Sequence, residues 1–372
     1  MMNTRKIKYI IHELVEVTIS AGVSLDIIRS IDFQIGYFKS SKASPAVKLK
    51  IVVKPYEEFI CQQVPVFEIF HLVNGITGRI YNDPANRLAF EKNEKEYYIF
   101  ADKPNFLINI FIQLWFVENG ISMVHAAAVT DDSGRVIVFP GPGGVGKTAI
   151  IGYMAKERGF HLLGDDIVGI TKKGACLSFP RSFVLKEYHR DVYPDVFHNL
   201  NIKTNPKKPF GNKIKRFILE NAPFAGISRA VLKRLGLFET VVKHLLPQSS
   251  PKQPYLADVS VEDVFGRDIV RDKGTIERII FMQRYSGKNF LIETISEEAL
   301  SQRMFAIINH EWVDSMRQLF SLGALEFVDL AKYFKNVDDI IKGGIRKKKC
   351  EIISIPNNAP PHELAEYFPS IL

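Results

Sequence analysis

The first hundred residues alternate short hydrophobic runs with turn residues. The runs VEVTIS, VKLKIVV, RLAFEK and EYYIFA are rich in β-branched and aromatic residues, a composition typical of strands. Asn82-Asp83-Pro84 and Ser44-Pro45 stand between such runs and favour loops. The pattern predicts a mainly β N-terminal domain over residues 1–104.

A different pattern begins at Phe106. The run FLINIFIQLWFV is almost wholly apolar and is followed by Glu118, and it falls short of the roughly 20 residues that a membrane-spanning helix needs. We therefore predict a buried helix and no membrane span. The opening residues MMNTRKIKYIIHELVEV lack the continuous apolar core and the cleavage site of a signal peptide.

The segment from about residue 121 to 170 alternates strand and helix patterns. MVHAAAV and RVIVF are typical of strands, and the turn residues 131–134 join them. AIIGYMAKERG has helical spacing and ends at Gly159, and FHLLGDDIVGI has the character of a buried strand. Strand, glycine-rich loop, helix and strand are the elements of an α/β fold. We predict that a second domain of this class covers residues 105–372.

Further elements are predicted downstream. CLSFPRSFVL, IERIIFMQRY and NFLIETI indicate strands, and SEEALSQRMFAIINHEW indicates a helix with Ser296 as its N-cap. CEIISIPNNAPPHELAEYF indicates a strand, a proline-rich turn and a short helix. Between about residues 186 and 257 lies a basic insertion, with segments such as KTNPKKPFGNKIKRF. This insertion could supply a pocket for an acidic partner.

The charge and the cysteine content of the chain exclude several classes of function. The chain has 372 residues and a net charge of +8, which favours anionic ligands or partners. Its lysine-rich stretches lack the interleaved aromatic residues of single-strand readers, so we predict no nucleic-acid partner. Cys61, Cys176 and Cys350 are scattered without CxxC spacing, which indicates neither a disulfide framework nor a zinc site and favours the reducing cytoplasm.

The strongest chemical motif is GPGGVGKT, residues 141–148, which matches the P-loop pattern G-x-x-x-x-G-K-[ST]. Its glycines let backbone N–H groups converge on phosphate oxygens, and the helix that follows directs its positive end at the same anion. Lys147 would reach the β- and γ-phosphates, and the Thr148 hydroxyl would bind Mg²⁺. ATP with Mg²⁺ is therefore the predicted cofactor. The residues predicted to contact it are Gly141, Gly143, Gly144, Val145, Gly146, Lys147, Thr148 and Ala149.

Asp165 and Asp166 form a second motif near the end of the apolar run that begins at Phe160. Two adjacent carboxylates are costly to bury because like charges repel in a low-dielectric environment, and a cation would offset that cost. We predict that one carboxylate binds Mg²⁺ while the other accepts a proton from an attacking hydroxyl. Thr148 and Asp166 are the predicted metal ligands, although the sequence leaves the division of roles between the two aspartates open.

Four other residues are weaker candidates. His125 ends the strand before the predicted hairpin and is a candidate catalytic residue. Arg278 and Arg284 flank the run RIIFMQR, and Arg181 follows a Phe-Pro pair. An arginine at a strand end could stabilise charge on a transferred phosphoryl group, while a surface arginine beside a buried strand is the simpler interpretation.

The block VHAAAV, RVIVFPGPGGVGKT and GFHLLGDDIVGI resembles the C-terminal catalytic domain of HPr kinase/phosphorylase and of bacterial HPr-kinase-like proteins. LLGDD also resembles the metal-binding strand of ATP-dependent phosphoenolpyruvate carboxykinase. The match covers about residues 121–170. The resemblance implies a P-loop core of this type with an aspartate as the base toward a substrate hydroxyl. The residues that it implies in one active site are His125, Lys147, Thr148, Asp165 and Asp166.

The chain departs from HPr kinase at two points. Ala149 follows Thr148 where HPr kinase has an acidic residue, and the Glu-Val-Arg-Gly signature is absent after the aspartates. These departures point away from HPr itself as the acceptor. HPr-kinase-like proteins with a β-rich N-terminal region also occur in gene clusters for modified peptides, including lasso peptides, where some phosphorylate a peptide. The resemblance thus implies a peptide or protein acceptor.

The expected function is an ATP-dependent kinase that moves a phosphoryl group to a serine-type hydroxyl of a peptide or protein. The alternative is an NTP-binding or NTP-hydrolysing switch or scaffold that yields no phosphorylated product. A carboxykinase-like lyase is less favoured because the substrate-binding arginine motif of those enzymes is not found in the sequence. Whether the chain forms a homo-oligomer is left open by the sequence.

Overall fold

The computed structural model describes residues 6–42, 44–59, 71–74, 79–103, 108–186, 197–198, 255–266 and 268–368. The chain divides into two compact units, Met1–Phe183 with Asp258–Leu372 and Val184–Ala257. Most of the second unit, and with it most of the basic insertion predicted at 186–257, lies outside the described residues.

The described chain is mixed α/β with mixed sheets, as the sequence predicted. Its first sheet has the strand order β1-β2-β3-β7-β6-β5-β4, with β3 parallel to both of its neighbours and the other pairs antiparallel. The predicted strands VEVTIS, VKLKIVV, RLAFEK and EYYIFA correspond to β2, β3, β6 and β7. The strands are β1 Ile7–Ile11, β2 Val15–Ile19, β3 Leu49–Lys54, β4 His71–Asn74, β5 Arg79–Asp83, β6 Leu88–Lys92 and β7 Glu96–Ala101.

Helix α1, Leu25–Ile35, connects β2 to the parallel strand β3 and was not predicted from the sequence. Ser24 caps it by accepting a hydrogen bond from the Ile27 N–H at 3.4 Å. Ile27, Ile31 and Ile35 recur at the i, i+4 spacing of one helix face and are fully buried. A parallel strand pair needs such a crossover because a tight hairpin can join only antiparallel strands.

The second sheet has the order β11-β9-β10-β16-β13-β12-β8, with β18 alongside β16 and β17 alongside β18. The long strand β16 runs parallel to β10 and to β18, so these three strands end at the same edge of the sheet. The strands are β8 Ile121–Val124, β9 Ala126–Thr130, β10 Arg135–Pro140, β11 His161–Gly164, β12 Val168–Thr171, β13 Ala175–Leu177, β16 Lys273–Tyr285, β17 Leu291–Thr294 and β18 Lys349–Pro356.

The hairpin predicted before the glycine-rich loop is formed by β9 and β10. Its turn is held by the Asp131 carboxylate, which accepts hydrogen bonds from the backbone N–H groups of Ser133 and Arg135 at 3.0 and 2.9 Å. An aspartate that bonds to the backbone two residues on is a standard turn device.

Two predictions of single strands were wrong. FHLLGDDIVGI forms two strands, β11 and β12, which pair with different neighbours and leave Asp165 and Asp166 in the turn between them. CLSFPRSFVL likewise divides into β13 and β14, Phe183–Lys186, and β14 pairs with β15, Tyr255–Val259. In the first case two neighbouring carboxylates interrupt an apolar run, and a turn leaves them nearer to solvent than a central strand would.

The helix predicted at the apolar run from Phe106 is α2, Ile108–Glu118, and nine of its residues are buried. It packs against β8. Within the described residues, no helix is long and apolar enough to cross a membrane. One hydrophobic core includes residues of both large sheets and of α2, such as Ile51, Phe111 and Val138. The predicted domain boundary near residue 104 falls between the two sheets and stays a prediction.

The remaining helices lie after the glycine-rich loop. The predicted helix at residues 297–311 is confirmed, with the Ser296 hydroxyl accepting from the Ala299 N–H at 3.2 Å. The final helix packs against the helix that follows the loop. These helices are α3 Lys147–Arg158, α4 Val261–Phe265, α5 Glu297–Glu311, α6 Val313–Ala324, α7 Leu330–Ile345 and α8 Pro361–Tyr367.

Candidate functional site

The glycine-rich loop, residues 141–146, connects the carboxyl end of β10 to the first turn of α3. Gly144 and Gly146 have φ angles of 76° and 114°, in the region that side chains strongly disfavour. A Cβ on Gly146 would also lie 2.7 Å from the Leu364 side chain of α8. The loop conformation therefore depends on glycine, and it directs the positive end of α3 toward the space above the sheet edge.

Lys147, the first residue of α3, is 6% exposed and folds back over the loop. Its ammonium group donates hydrogen bonds to the carbonyl oxygens of Gly141 and Pro142 at 2.7 and 3.0 Å, and it lies 3.0 Å from Nε2 of His125. Burial lowers the pKa of Lys147, while the carboxylates of Asp166, Asp165 and Glu311 oppose this shift. Lys147 is thus held at the loop by the backbone carbonyls of Gly141 and Pro142 and by nearby negative charge.

His125 lies between β8 and β9 at the same end of the sheet. The following residue, Ala126, pairs with Pro140 at the end of β10, so the sheet register places the histidine beside the glycine-rich loop. His125 is 5% exposed, and burial lowers the pKa of its imidazole, although the nearby Asp166 carboxylate acts in the opposite direction. The ring touches Lys147 through Nε2 and approaches Asp166 through Nδ1 at 3.3 Å.

The two aspartates have different partners. The Thr148 hydroxyl lies 2.9 and 3.0 Å from the two carboxylate oxygens of Asp165 and donates to that group. Asp166 instead accepts a hydrogen bond from Nη1 of Arg181 at 2.7 Å and faces His125. The pair of residues predicted as metal ligands, Thr148 and Asp166, is therefore not the pair with this direct contact, because Thr148 bonds to Asp165.

The surroundings of Asp165 also change its pKa. Burial, with the adjacent Asp166 charge as a second cause, raises the pKa of Asp165 to about 7. Hydrogen bonding from Thr148 and the charges of Lys147 and Arg181 limit this increase. A carboxylate in such a position gains from a nearby cation, since opposite charge restores the ionised form. The side chain of Asp166 is 38% exposed.

Arg181 is the one arginine candidate that the structure brings to these residues. Besides its bond to Asp166, its guanidinium group lies over the ring of Phe33 at 4.9 Å, and the neighbouring Ser182 N–H donates to the Phe33 carbonyl at 3.1 Å. Phe33 belongs to α1, so an element of the N-terminal region helps to orient a side chain of the site. The sequence offered no signal for this contact.

Arg278 and Arg284 have structural contacts elsewhere. Arg278 is buried and donates from Nε to Glu351 of β18 at 2.5 Å. Arg284 donates from Nη1 to the carbonyls of Pro356 and Ala359, each at 2.8 Å. This second contact fixes the turn between β18 and α8. The simpler interpretation, a surface arginine beside a buried strand, is wrong for Arg278 because this residue is buried.

Replacing Arg278 with alanine should lower the free energy of unfolding by about 3 kcal/mol, because Glu351 then stays ionised at a buried position without its main partner. Burial raises the pKa of Glu351, but hydrogen bonds from Arg278 and Lys349 outweigh it and the net direction is downward. The pair therefore stabilises the fold at neutral pH, and this contribution is lost as acidification protonates the glutamate. Urea denaturation at pH 7 and at a pH well below 4.5, the ordinary pKa of a glutamate, measures both effects.

The exposed Arg303 on α5 provides the control for this change. Its replacement with alanine should alter the unfolding free energy by less than about 0.5 kcal/mol. A variant of Arg278 that kept full stability but lost activity would return that arginine to the functional site.

Glu311 also belongs to the candidate site, although its sequence context does not predict it. It is the last residue of α5, and its Oε1 accepts a hydrogen bond from the Gly143 N–H at 2.9 Å. The partner is 168 positions away in the chain, and neither residue has a sequence context that links it to the other.

The cluster joins the glycine-rich loop to a pair of carboxylates with distinct surroundings. Within the described ranges, no group of three or more His, Cys, Asp or Glu side chains forms a complete metal site. Mg²⁺ needs fewer protein ligands where a substrate phosphate completes its coordination. The Thr148 hydroxyl and the Asp165 carboxylate are hard oxygen donors suited to that ion.

Comparison of the chain with protein-family models and with curated proteins gives no match.

Proposed function

We propose that the protein is an ATP-dependent kinase that transfers the γ-phosphoryl group of ATP to a serine-type hydroxyl of a peptide or protein. In this proposal, the glycine-rich loop is a P-loop in a core of the HPr kinase and phosphoenolpyruvate carboxykinase type. One observation carries the proposal: at the mouth of this loop, Lys147 and His125 meet, Thr148 bonds to Asp165, and Asp166 faces His125.

The loop binds the triphosphate through its backbone N–H groups and the positive end of α3. Lys147 exchanges its bonds to the loop carbonyls for bonds to the β- and γ-phosphates. Because the lysine is already buried beside the loop, little side-chain freedom remains to be lost when the phosphates arrive.

Thr148 and Asp165 would hold Mg²⁺ together with the phosphates. The hydrogen bond from Thr148 to Asp165 supports Asp165 as the second ligand in place of Asp166, the ligand predicted from the sequence. When bound, the ion would supply positive charge that offsets part of the negative charge of the phosphates. The tendency of Asp165 to take up a proton near neutral pH fits a carboxylate whose natural partner is a cation.

Asp166 acts as the general base. Its partly exposed carboxylate accepts the proton of the acceptor hydroxyl, the freed oxygen bonds to the γ-phosphorus, and the bond to the bridging oxygen breaks to release ADP. Arg181 fixes one carboxylate oxygen at 2.7 Å, while His125 lies 3.3 Å from the other. These two neighbours orient the base.

Incubation of the chain with ATP labelled at the γ-phosphate, Mg²⁺ and serine peptides of acidic, neutral and basic composition tests the proposal. We expect label on a peptide, with the acidic series favoured by the positive net charge of the chain, and loss of transfer when EDTA removes the metal. A peptide with alanine in place of serine is the matched control.

Release of free phosphate alone, with no labelled acceptor, would favour the alternative of an NTP-hydrolysing switch or scaffold. Failure to bind ATP in equilibrium dialysis would contradict both functions and the assignment of the loop.

A further inference from the structure

The carboxylate of Glu311 lies against the glycine-rich loop. Its Oε1 accepts a hydrogen bond from the Gly143 N–H at 2.9 Å, and a Cβ on Gly143 would come within 3.3 Å of Oε2. A side chain at this position would crowd the carboxylate, which would have to shift by a few tenths of an ångström. The contact gives a backbone donor of the loop to an anion of the same chain.

The negative charge of Glu311 also lies where the charge of a bound phosphate would lie, close to the cationic and polar groups of the site. Its negative charge acts on both Lys147 and His125, in the direction that favours their protonated forms. These are the groups that line the mouth of the loop. Glu311 thus interacts with the same backbone and side-chain donors that a phosphate would use.

Local helix energetics do not account for a glutamate at this position. Glu311 is the last residue of α5, where the helix dipole disfavours negative charge. Trp312 then separates α5 from α6 with φ −100° and ψ 44°. The favourable contact of the carboxylate is the one with Gly143, so the loop, and not the helix, stabilises it there.

We infer that Glu311 is an internal competitor for the anion site of the glycine-rich loop, and that a nucleotide must displace it to bind. The inference rests on the proposed nucleotide-binding function. A backbone N–H cannot donate fully to the carboxylate and to a phosphate oxygen at once, and two anions brought to the same donor repel each other. The measured affinity is therefore the intrinsic affinity reduced by the fraction of molecules in which Glu311 occupies the loop.

Glu311→Ala, Glu311→Gln and a control, Glu157→Gln, test the inference. Glu157 is an exposed residue of α3, so its replacement removes one negative charge without touching the loop. Calorimetric titration with Mg²⁺–ATP, and separately with inorganic pyrophosphate, measures Kd for each protein. We expect Glu311→Ala to bind both probes about 10-fold more tightly than the unmodified chain. Glu311→Gln should show a smaller gain because its amide oxygen still accepts from Gly143.

The Kd values test the competitor role of Glu311 separately from the proposed nucleotide-binding function. Unchanged Kd values in both Glu311 variants, with normal ATP binding by the parent chain, would overturn the competitor role and leave the proposed function standing. An equal gain in Glu157→Gln would reduce the effect to net charge and would also overturn it. Absence of ATP binding in all the proteins, including Glu311→Ala, would overturn both. Thermal melting curves confirm that each variant is folded.

Loss of phosphotransfer in Glu311→Gln without any change in Kd would assign Glu311 to the chemical step, which contradicts the competitor role. Tighter binding with transfer retained at saturating ATP is the result that the inference requires.

Discussion

Replacement of Lys147 with alanine should reduce kcat/KM for ATP-dependent phosphotransfer by about 1,000-fold or more, because a buried cation that contacts the transferred group stabilises its developing charge. The ammonium group of Lys147 lies within 3.0 Å of His125 and of two loop carbonyls. No other lysine in α3 lies at its N-terminal end, so nothing in that helix replaces it. Initial rates with labelled ATP measure the loss.

Lys156 provides the matched control. It lies in the last turn of the same helix, about 13 Å along the helix axis from Lys147 at the rise of an α-helix. Lys156→Ala removes the same side chain from the same element and should leave kcat/KM within about twofold, as expected for an exposed side chain remote from a site. Since Lys147 also bonds to the loop, thermal melting must show that Lys147→Ala is folded. Full activity in a folded Lys147 variant would exclude the proposed role of the loop.

The elements of the site that could be predicted are those fixed by local sequence. The hairpin before the loop follows from Asp131 and the residues after it, and α3 follows from glycines at both of its ends, Gly146 and Gly159. Each of these signals acts within a few residues of the element that it determines, so a single sequence contains it in full.

Contacts between distant segments were not predictable in the same way. Arg181 reaches Asp166 while lying over Phe33 of α1, and Glu311 reaches Gly143 from the end of α5. Whether an arginine near a strand end faces a site or a neighbouring strand depends on the register of the sheet. Arg181 and Arg278 have similar sequence contexts but different outcomes, because the side chain of Arg278 pairs with Glu351 on the adjacent strand.

The division of roles between adjacent aspartates illustrates the same limit. Asp165 and Asp166 are neighbours in a turn, and sequence spacing gives each the same distance from Thr148 to within one residue. The backbone of the turn sends one carboxylate to Thr148 and the other to His125 and Arg181. The path of the chain between β11 and β12 therefore decides which aspartate contacts Thr148 and which faces His125.

Because Asp165 and Asp166 have different contacts, their replacement should affect activity in different ways. Asp166→Asn should lower kcat by about 1,000-fold, the scale of a lost general base, while the Mg²⁺ concentration for half-maximal activity stays unchanged. Asp165→Asn should instead raise that Mg²⁺ concentration by about 10-fold or more, because an amide is a weaker ligand than a carboxylate for a hard cation. Rates measured over a range of Mg²⁺ concentrations at saturating ATP separate the two responses.

Asp339→Asn on α7 is the control, since that carboxylate contacts Lys335 on the surface of the same helix. It should leave both the rate and the metal dependence unaltered. Equal responses in the two site variants would show that the aspartates act as one unit, against the assignment made from their separate contacts. The reverse pattern, with Asp166→Asn changing the metal requirement and Asp165→Asn the rate, would restore Asp166 as the metal ligand and make Asp165 the base. Its raised pKa of about 7 would then match that of a base working at neutral pH.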